Sequence, residues 1–151
     1  MVPDEIEGMP VKVISNFAFS DNAYITSVVI PETVCQVEGV AFSGCTGLKR
    51  VEIKGRRVEL GRACFAKCTQ LTEFIADYDS LYWGIHVFHG CSNLMSKGEF
   101  VIFENGKRLV DVKTPVTKSS VIVPDGVEII NTNAFADIYG GAYETSVSRI
   151  K

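Results

Sequence analysis

The sequence predicts an α/β-class repeat solenoid, mostly β and irregular coil, built from short parallel strands and carrying one inserted β-hairpin. Three observations predict it. Phe19, Phe42, Phe65 and Phe88 recur at a constant spacing of 23 residues. Cys45, Cys68 and Cys91 keep that spacing, with Asn22 in their place in the first copy, and Ile25, Leu48, Leu71 and Leu94 form a third series in step with both. A fixed period of this kind marks a fold in which one unit cannot bury its apolar edge alone and stacks on the next.

Aligned on phenylalanine, the copies read AFSDNAYITSVVIP, AFSGCTGLKRVEIK, CFAKCTQLTEFIAD and VFHGCSNLMSKGEF, and a variable segment before each places Ile14, Val37, Leu60 or Trp83 at one position. Alternation in Val28-Val29-Ile30 and Val51-Glu52-Ile53 predicts a strand in each turn, with Val28, Ile30, Val51 and Ile53 inward and Glu52 outward on the concave side. The turns of this single domain are expected over about 1–30, 31–53, 54–76 and 77–99. Phe100-Val-Ile-Phe and Arg108-Leu-Val-Asp-Val then flank Asn105-Gly106, a pair that favours a type I′ turn, so a β-hairpin is expected over about 99–113. A polar link runs from Thr114 to Ser120. In a last copy, about 121–151, Pro124, Val127, Ile130 and Phe135 repeat the roles of Pro31, Val34, Val37 and Phe42. Phe88 and Phe135 are 47 residues apart, two periods plus one, so the hairpin replaces or elaborates a turn.

The 151 residues, 46% hydrophobic and 22% charged, have the composition of an ordinary folded protein. With a formal net charge of -3 and only the separate pairs Lys49-Arg50, Arg56-Arg57 and Lys107-Arg108, the chain has no basic stripe of the kind nucleic-acid binding needs. No apolar run approaches the roughly 20 residues of a spanning helix, so membrane insertion is not expected. The acidic opening, broken by Pro3 and Pro10, lacks the basic head and apolar middle of a secretion signal.

A 23-residue period lies within the range of about 20 to 29 residues found in leucine-rich repeats. The succession Ile-Pro, then Val, then Val or Ile, then Ala-Phe, Cys and Leu resembles the BspA-like leucine-rich repeats in particular. IPETVCQVEGVAFSGCTGLKRVEI carries nearly every position of that pattern, IEGMPVKVISNFAF resembles its variant first turn, and FVIFENGKRLVDV resembles an insertion common in such proteins. The resemblance runs from about residue 2 to 150, weakening at Ala76-Asp-Tyr-Asp-Ser-Leu and after Phe135. It implies a right-handed leucine-rich-repeat solenoid with parallel strands, found mostly in surface-exposed or secreted proteins of bacteria and some protists and associated with adhesion to host proteins. The expectation is therefore a non-enzymatic protein-protein interaction module at the cell surface or secreted, with a protein ligand such as a host extracellular protein. The alternative is a structural spacer or intracellular scaffold. No residue-level binding motif comes with the family.

Thr26, Ser27, Val29, Lys49, Arg50, Glu52, Thr72, Glu73 and Ile75 are the exposed strand positions and form the expected protein-binding concave face. Tyr78, Tyr82 and Trp83 add aromatic residues of the kind that anchor interfaces, although Trp83 shares the column of Val37 and Leu60 and reads as core. Stacked turns ~4.8 Å apart would hold the column cysteines farther apart than the ~3.8 Å Cβ separation of a disulfide and pointing the same way, so free, buried thiols acting as small hydrophobes are expected.

His86, His89 and Cys91 are residue types that bind zinc. Cys91 belongs to the inward column, however, while His89 aligns with Ser43 and Ala66 and His86 with Val40 and Ala63, so they need not converge. A Cys-His nucleophile needs a thiolate, which burial disfavours. No catalytic residue, cofactor or metal is expected. Asp77-Tyr-Asp-Ser lacks the spacing and glycine of a calcium loop and reads as a solvated return, and Gly140-Gly141 lacks the Lys-Ser or Lys-Thr of a phosphate loop. The chain opens inside a turn and closes on Val147-Ser-Arg-Ile-Lys without the polar capping turn that solenoids use. A fragment, or self-association through the ends, is expected.

Overall fold

The computed structural model describes residues 1–94, 96–98, 100–112 and 122–135. The link from Thr114 to Ser120, the Gly140-Gly141 pair and the closing Val147 to Lys151 segment lie outside the described residues. In chain order the strands are β1 (Glu5–Ile6), β2 (Met9–Pro10), β3 (Val13–Ile14), β4 (Ser27–Ile30), β5 (Gln36–Val37), β6 (Arg50–Ile53), β7 (Glu59–Leu60), β8 (Glu73–Ile75), β9 (Tyr82–Trp83), β10 (Ser96–Lys97), β11 (Phe100–Phe103), β12 (Arg108–Val112) and β13 (Ile129–Ile130). Two parallel sheets run along the solenoid, one ordered β3-β5-β7-β9 and the other β4-β6-β8. Their registers pair residues one period apart, as in Val28↔Val51 and Val37↔Leu60. No helix among the described residues is long and apolar enough to cross a membrane.

The α/β expectation is corrected to a mostly β solenoid, since the described residues hold no α-helix and only two single 3-10 turns, at Tyr78–Ser80 and Glu104–Gly106. The cause sits at one corner of every turn. Phe17, Val40, Ala63 and His86 have φ of 61°, 61°, 53° and 56°, a left-handed conformation that a right-handed helix cannot carry. Short turns such as Ala41 N–H to the Glu38 carbonyl at 3.3 Å start there and stop. The freed donors run sideways to the next turn, Val40 N–H to the Arg62 carbonyl and Ala63 N–H to the Ile85 carbonyl, both at 2.9 Å.

Inside this frame Phe42, Phe65 and Phe88 are 1%, 0% and 0% exposed. Their rings stack in one column with Phe19, with centroids 5.0, 5.3 and 6.2 Å apart. Val34, Val37, Leu48, Leu60 and Leu71 fill the space beside it. Near the start of the chain β1 and β2 pair antiparallel, Val2 enters the core, and its N–H reaches the Val29 carbonyl at 3.2 Å.

β11 and β12 pair antiparallel, with Phe103↔Arg108 as the innermost pair. The loop is therefore Glu104 to Lys107, four residues rather than the expected two-residue type I′ turn, with Glu104 at φ 54° and Gly106 at φ 96°. The Glu104 carboxylate accepts a hydrogen bond from Arg108 Nε at 2.7 Å across this loop, a charge-assisted bond that favours the wider turn. Both faces of the pair are buried. Val101, Phe103 and Val110 join the main core, while Phe100, Ile102, Leu109 and Val112 form a second one with Ala134, Val123, Val127 and Phe135. β12 also pairs in parallel with β13, resuming the stacking of turns.

Phe19 is 37% exposed while Phe65 has ring neighbours on both sides. Phe65→Ala is expected to lower unfolding stability in urea by about 3 to 5 kcal/mol, and Phe19→Ala by less than half as much. Equal losses would mean that the column is not a shared core.

Candidate protein-binding face

The β4-β6-β8 sheet turns Val28, Ile30, Val51, Ile53 and Phe74 inward, all at most 5% exposed. The opposite residues form rows set by the register, Ser27↔Arg50↔Glu73 and Val29↔Glu52↔Ile75. A third row, Thr26, Lys49 and Thr72, is fixed at the strand entries by Lys49 N–H to the Thr26 carbonyl at 2.8 Å and Thr72 N–H to the Lys49 carbonyl at 3.0 Å. None of the nine residues expected on this face is buried; the register brings Ser27, Val29, Arg50, Glu52, Glu73 and Ile75 together, and Thr26, Lys49 and Thr72 flank them at the strand entries. Arg50 ties it together, 2.8 Å from the Glu52 carboxylate and 3.2 Å from that of Glu73. Pairs this exposed add little stability. Their effect is to fix the Glu52 carboxylate in the row between Val29 and Ile75 and the Glu73 carboxylate at the end of the row that Arg50 occupies.

A second face was not foreseen. The β3-β5-β7-β9 sheet presents Val13, Gln36, Glu59 and Tyr82 in one row, with the Gln36 amide donating to Glu59 at 3.3 Å. Its signal is a couplet repeated at the period, Val13-Ile14, Gln36-Val37, Glu59-Leu60 and Tyr82-Trp83, whose second member packs inward or against the core.

All five cysteines are free thiols. The column members Cys45, Cys68 and Cys91 are buried in the hydrophobic core, as expected, and their thiols also serve as hydrogen-bond donors. Cys45, Cys68 and Cys91 each donate the thiol proton to the carbonyl of the phenylalanine in the preceding turn, Phe19, Phe42 and Phe65, at 3.1, 3.2 and 3.1 Å. Burial pushes the Cys45 and Cys64 thiols up, and the Cys91 thiol together with burial pushes Cys68 up, which keeps them protonated donors.

Cys91 thus faces the column, while His86 lies with its Nδ1 4.0 Å from the Asp111 carboxylate. The His86 and His89 rings are 5.6 Å apart and nearly perpendicular. Among the described residues no group of three His, Cys, Asp or Glu side chains is arranged to hold a metal. Asp79 is bound to the buried guanidinium of Arg108, and Asp77 lies 3.7 Å from Arg56. Trp83 packs partly buried against the core, as its column position predicts.

Asp111 was not legible as a structural residue. Phe19, Phe42 and Phe65 donate their N–H to the carbonyls of Ala41, Cys64 and Val87 in the next turn, whereas Phe88 donates to the Asp111 carboxylate at 2.8 Å. Here a side chain stands in for the backbone carbonyl that the equivalent N–H finds in the earlier turns. At 2% exposure the carboxyl is pushed up to about 7 by burial, against the N–H groups of Phe88 and Val112.

A raised folded value means the native state holds a proton that the unfolded chain has released. The stability Asp111 contributes is complete below its ordinary value of 3.8 and is lost as pH rises through about 7. His89, pushed down by burial and then by His86 and Lys67, works oppositely, losing its contribution as pH falls below the ordinary imidazole range. Comparison with Asp111→Asn isolates the carboxyl. Between about pH 5 and about pH 8 the wild type is expected to lose about 2 kcal/mol relative to that variant in urea unfolding. Parallel pH profiles would remove the buried carboxyl from the account.

The sequence pattern of BspA-type leucine-rich repeat regions matches residues 9–111 in 6 copies. Among solved structures, a leucine-rich cell surface protein from Faecalibacterium prausnitzii is similar over 99% of this chain and 46% of its own, at 24% identity and a TM-score of 0.51. A leucine-rich repeat protein from Bacteroides ovatus is similar over 85% of this chain and 52% of its own, at 20% identity and a TM-score of 0.31. The chain therefore spans about half the length of these structures. No curated protein matches it. The first likeness shows the same fold.

Proposed function

The chain belongs to the family of BspA-type leucine-rich repeats, a fold of interaction modules and not in general of enzymes, and from that premise we infer that it binds a protein ligand across the outer face of the β4-β6-β8 sheet. The observation that carries this reading is the face itself. Three strands in register carry Ser27, Val29, Arg50, Glu52, Glu73 and Ile75 over buried core residues, with Thr26, Lys49 and Thr72 at the strand entries. Such a surface is preorganised, so binding does not have to order it first.

Its chemistry suits a protein more than a small molecule. Two carboxylates bound to the Arg50 guanidinium, Glu52 between Val29 and Ile75 and Glu73 in the adjoining row, share this surface with apolar side chains, a mixture found in protein interfaces. The solved relative from Faecalibacterium prausnitzii is a cell surface protein. On that analogy the place of action is a bacterial surface or the medium around it, and the role is adhesion to host extracellular proteins.

A label-free binding panel of matrix and serum proteins against the wild type and a Glu52→Lys, Glu73→Lys variant tests this reading. Saturable binding to one of them is expected, weakened at least about tenfold in the variant because two fixed charges are reversed at the centre of the contact. Binding that ignores the variant would move the ligand to another face, and absence of any binding would leave a spacer or scaffold.

A further inference from the structure

We propose that the corner between the two parallel sheets is a second recognition site, one that takes the carboxylates of an acidic peptide segment and centres on Arg56, Arg57 and Tyr82. A pocket of about 240 Å³ opens there, lined by Arg56, Arg57, Asp79, Ser80, Leu81 and Tyr82. The arginine pair is not a repeat position. One period earlier the corner carries Thr33 and Val34, and one period later Asp79 and Ser80. Two cations have thus been placed side by side in a chain whose net charge is -3.

The pair is not consumed by its own neighbours. Arg56 is 83% exposed and stands 3.7 Å from Asp77, well beyond the ~2.8 Å of a close guanidinium-carboxylate bond. Asp79, the acid that lines the pocket, is bound to Arg108. Arg57 has no hydrogen bond or ion pair among the described residues, and its φ of 58° is a conformation that only glycine adopts freely. Beside the arginines Tyr82 is 61% exposed, and Arg with Tyr is the pairing most enriched where interfaces concentrate their binding energy.

The surroundings select among anions. Two guanidiniums match a carboxylate or a row of them, with parallel N–H donors. Asp77 and Asp79 close by penalise a dianion such as a phosphate more than a monoanion. The exposed ring of Tyr82 offers apolar surface to the methylene stem of a glutamate. The site lies away from the β4-β6-β8 face and does not rest on the reading given for it.

The test is a titration of the 15N-labelled chain at low salt with an amidated hexaglutamate peptide, with hexaglutamine and a heparin-derived hexasaccharide as comparisons. Hexaglutamate is expected to shift the Arg57 Nε–H and Tyr82 amide signals saturably and hexaglutamine to leave them unchanged. Affinity should fall about tenfold in Arg56→Gln/Arg57→Gly, where glycine keeps the left-handed corner. Arg56→Gln alone, at a solvent-facing side chain, should fall in the same direction without touching the fold, and Lys12→Gln, on another turn, should bind as the wild type does. Hexaglutamate binding that the arginine variants do not weaken, absence of saturable shifts, or occupation by the hexasaccharide but not the peptide would each overturn the proposal.

Discussion

Everything in this structure depends on one constraint, the stacking of each turn on the next through backbone hydrogen bonds one period apart. Glu38, Gly61 and Gly84 donate their N–H to the carbonyls of Ile14, Val37 and Leu60 at 2.8, 2.7 and 2.8 Å, and Asp21, Gly44 and Lys67 donate to Ser43, Ala66 and His89 on the other side of the turn. Once that spacing is set, identical side chains must lie above one another. The phenylalanine column, the leucine and valine positions and the thiol-to-carbonyl bonds are its consequences. The same closeness dictates residue size, since a Cβ on Gly61 would come within 2.6 Å of the Gly39 nitrogen.

Where the stacking is interrupted, side chains take over the missing backbone partners. The Tyr78 hydroxyl donates to the Phe74 carbonyl at 2.6 Å, at the last strand of the three-stranded sheet. Asp111 receives the Phe88 N–H, and Arg108 joins Asp79, Glu104 and Asn131 across the hairpin. Buried backbone groups left unpaired would each cost a few kcal/mol, so these substitutions let a solenoid change its path without opening its core. The functional gain is rigidity. The proposed binding face keeps its register up to the edge strand β8.

The columns were legible because a core position must repeat with every turn, and the exposure of Ser27, Val29, Arg50, Glu52, Glu73 and Ile75 because strand alternation points their neighbours inward, whereas Thr26, Lys49 and Thr72 precede the strands. Other features lacked such a signal. The second sheet is made of two-residue strands, too short for alternation to show. The left-handed corners fall on Phe17, Val40, Ala63 and His86, residue types that carry no turn signature, so the return half of each turn resembles a helix in sequence. Asn105-Gly106 signals a tight turn that the bond between Arg108 and Glu104 overrides. Asp111 looks like an outward strand residue, since its role appears only when Phe88 is seen without a carbonyl above it.

The central claim, that backbone spacing between turns governs the fold, is tested most directly by a matched pair of substitutions followed by urea unfolding. At Gly84 an added Cβ would meet the Leu60 carbonyl oxygen at 2.4 Å and the Gly61 carbonyl carbon at 2.8 Å, whereas Ala63 occupies a left-handed corner at φ 53°. Gly84→Ala should lower stability by about 1 to 3 kcal/mol. Ala63→Gly, ordinarily a destabilising change, should leave stability unchanged or raise it by up to about 1 kcal/mol. Opposite signs for the same one-methyl difference support the account; a tolerated alanine at Gly84 together with a destabilising glycine at position 63 would contradict it.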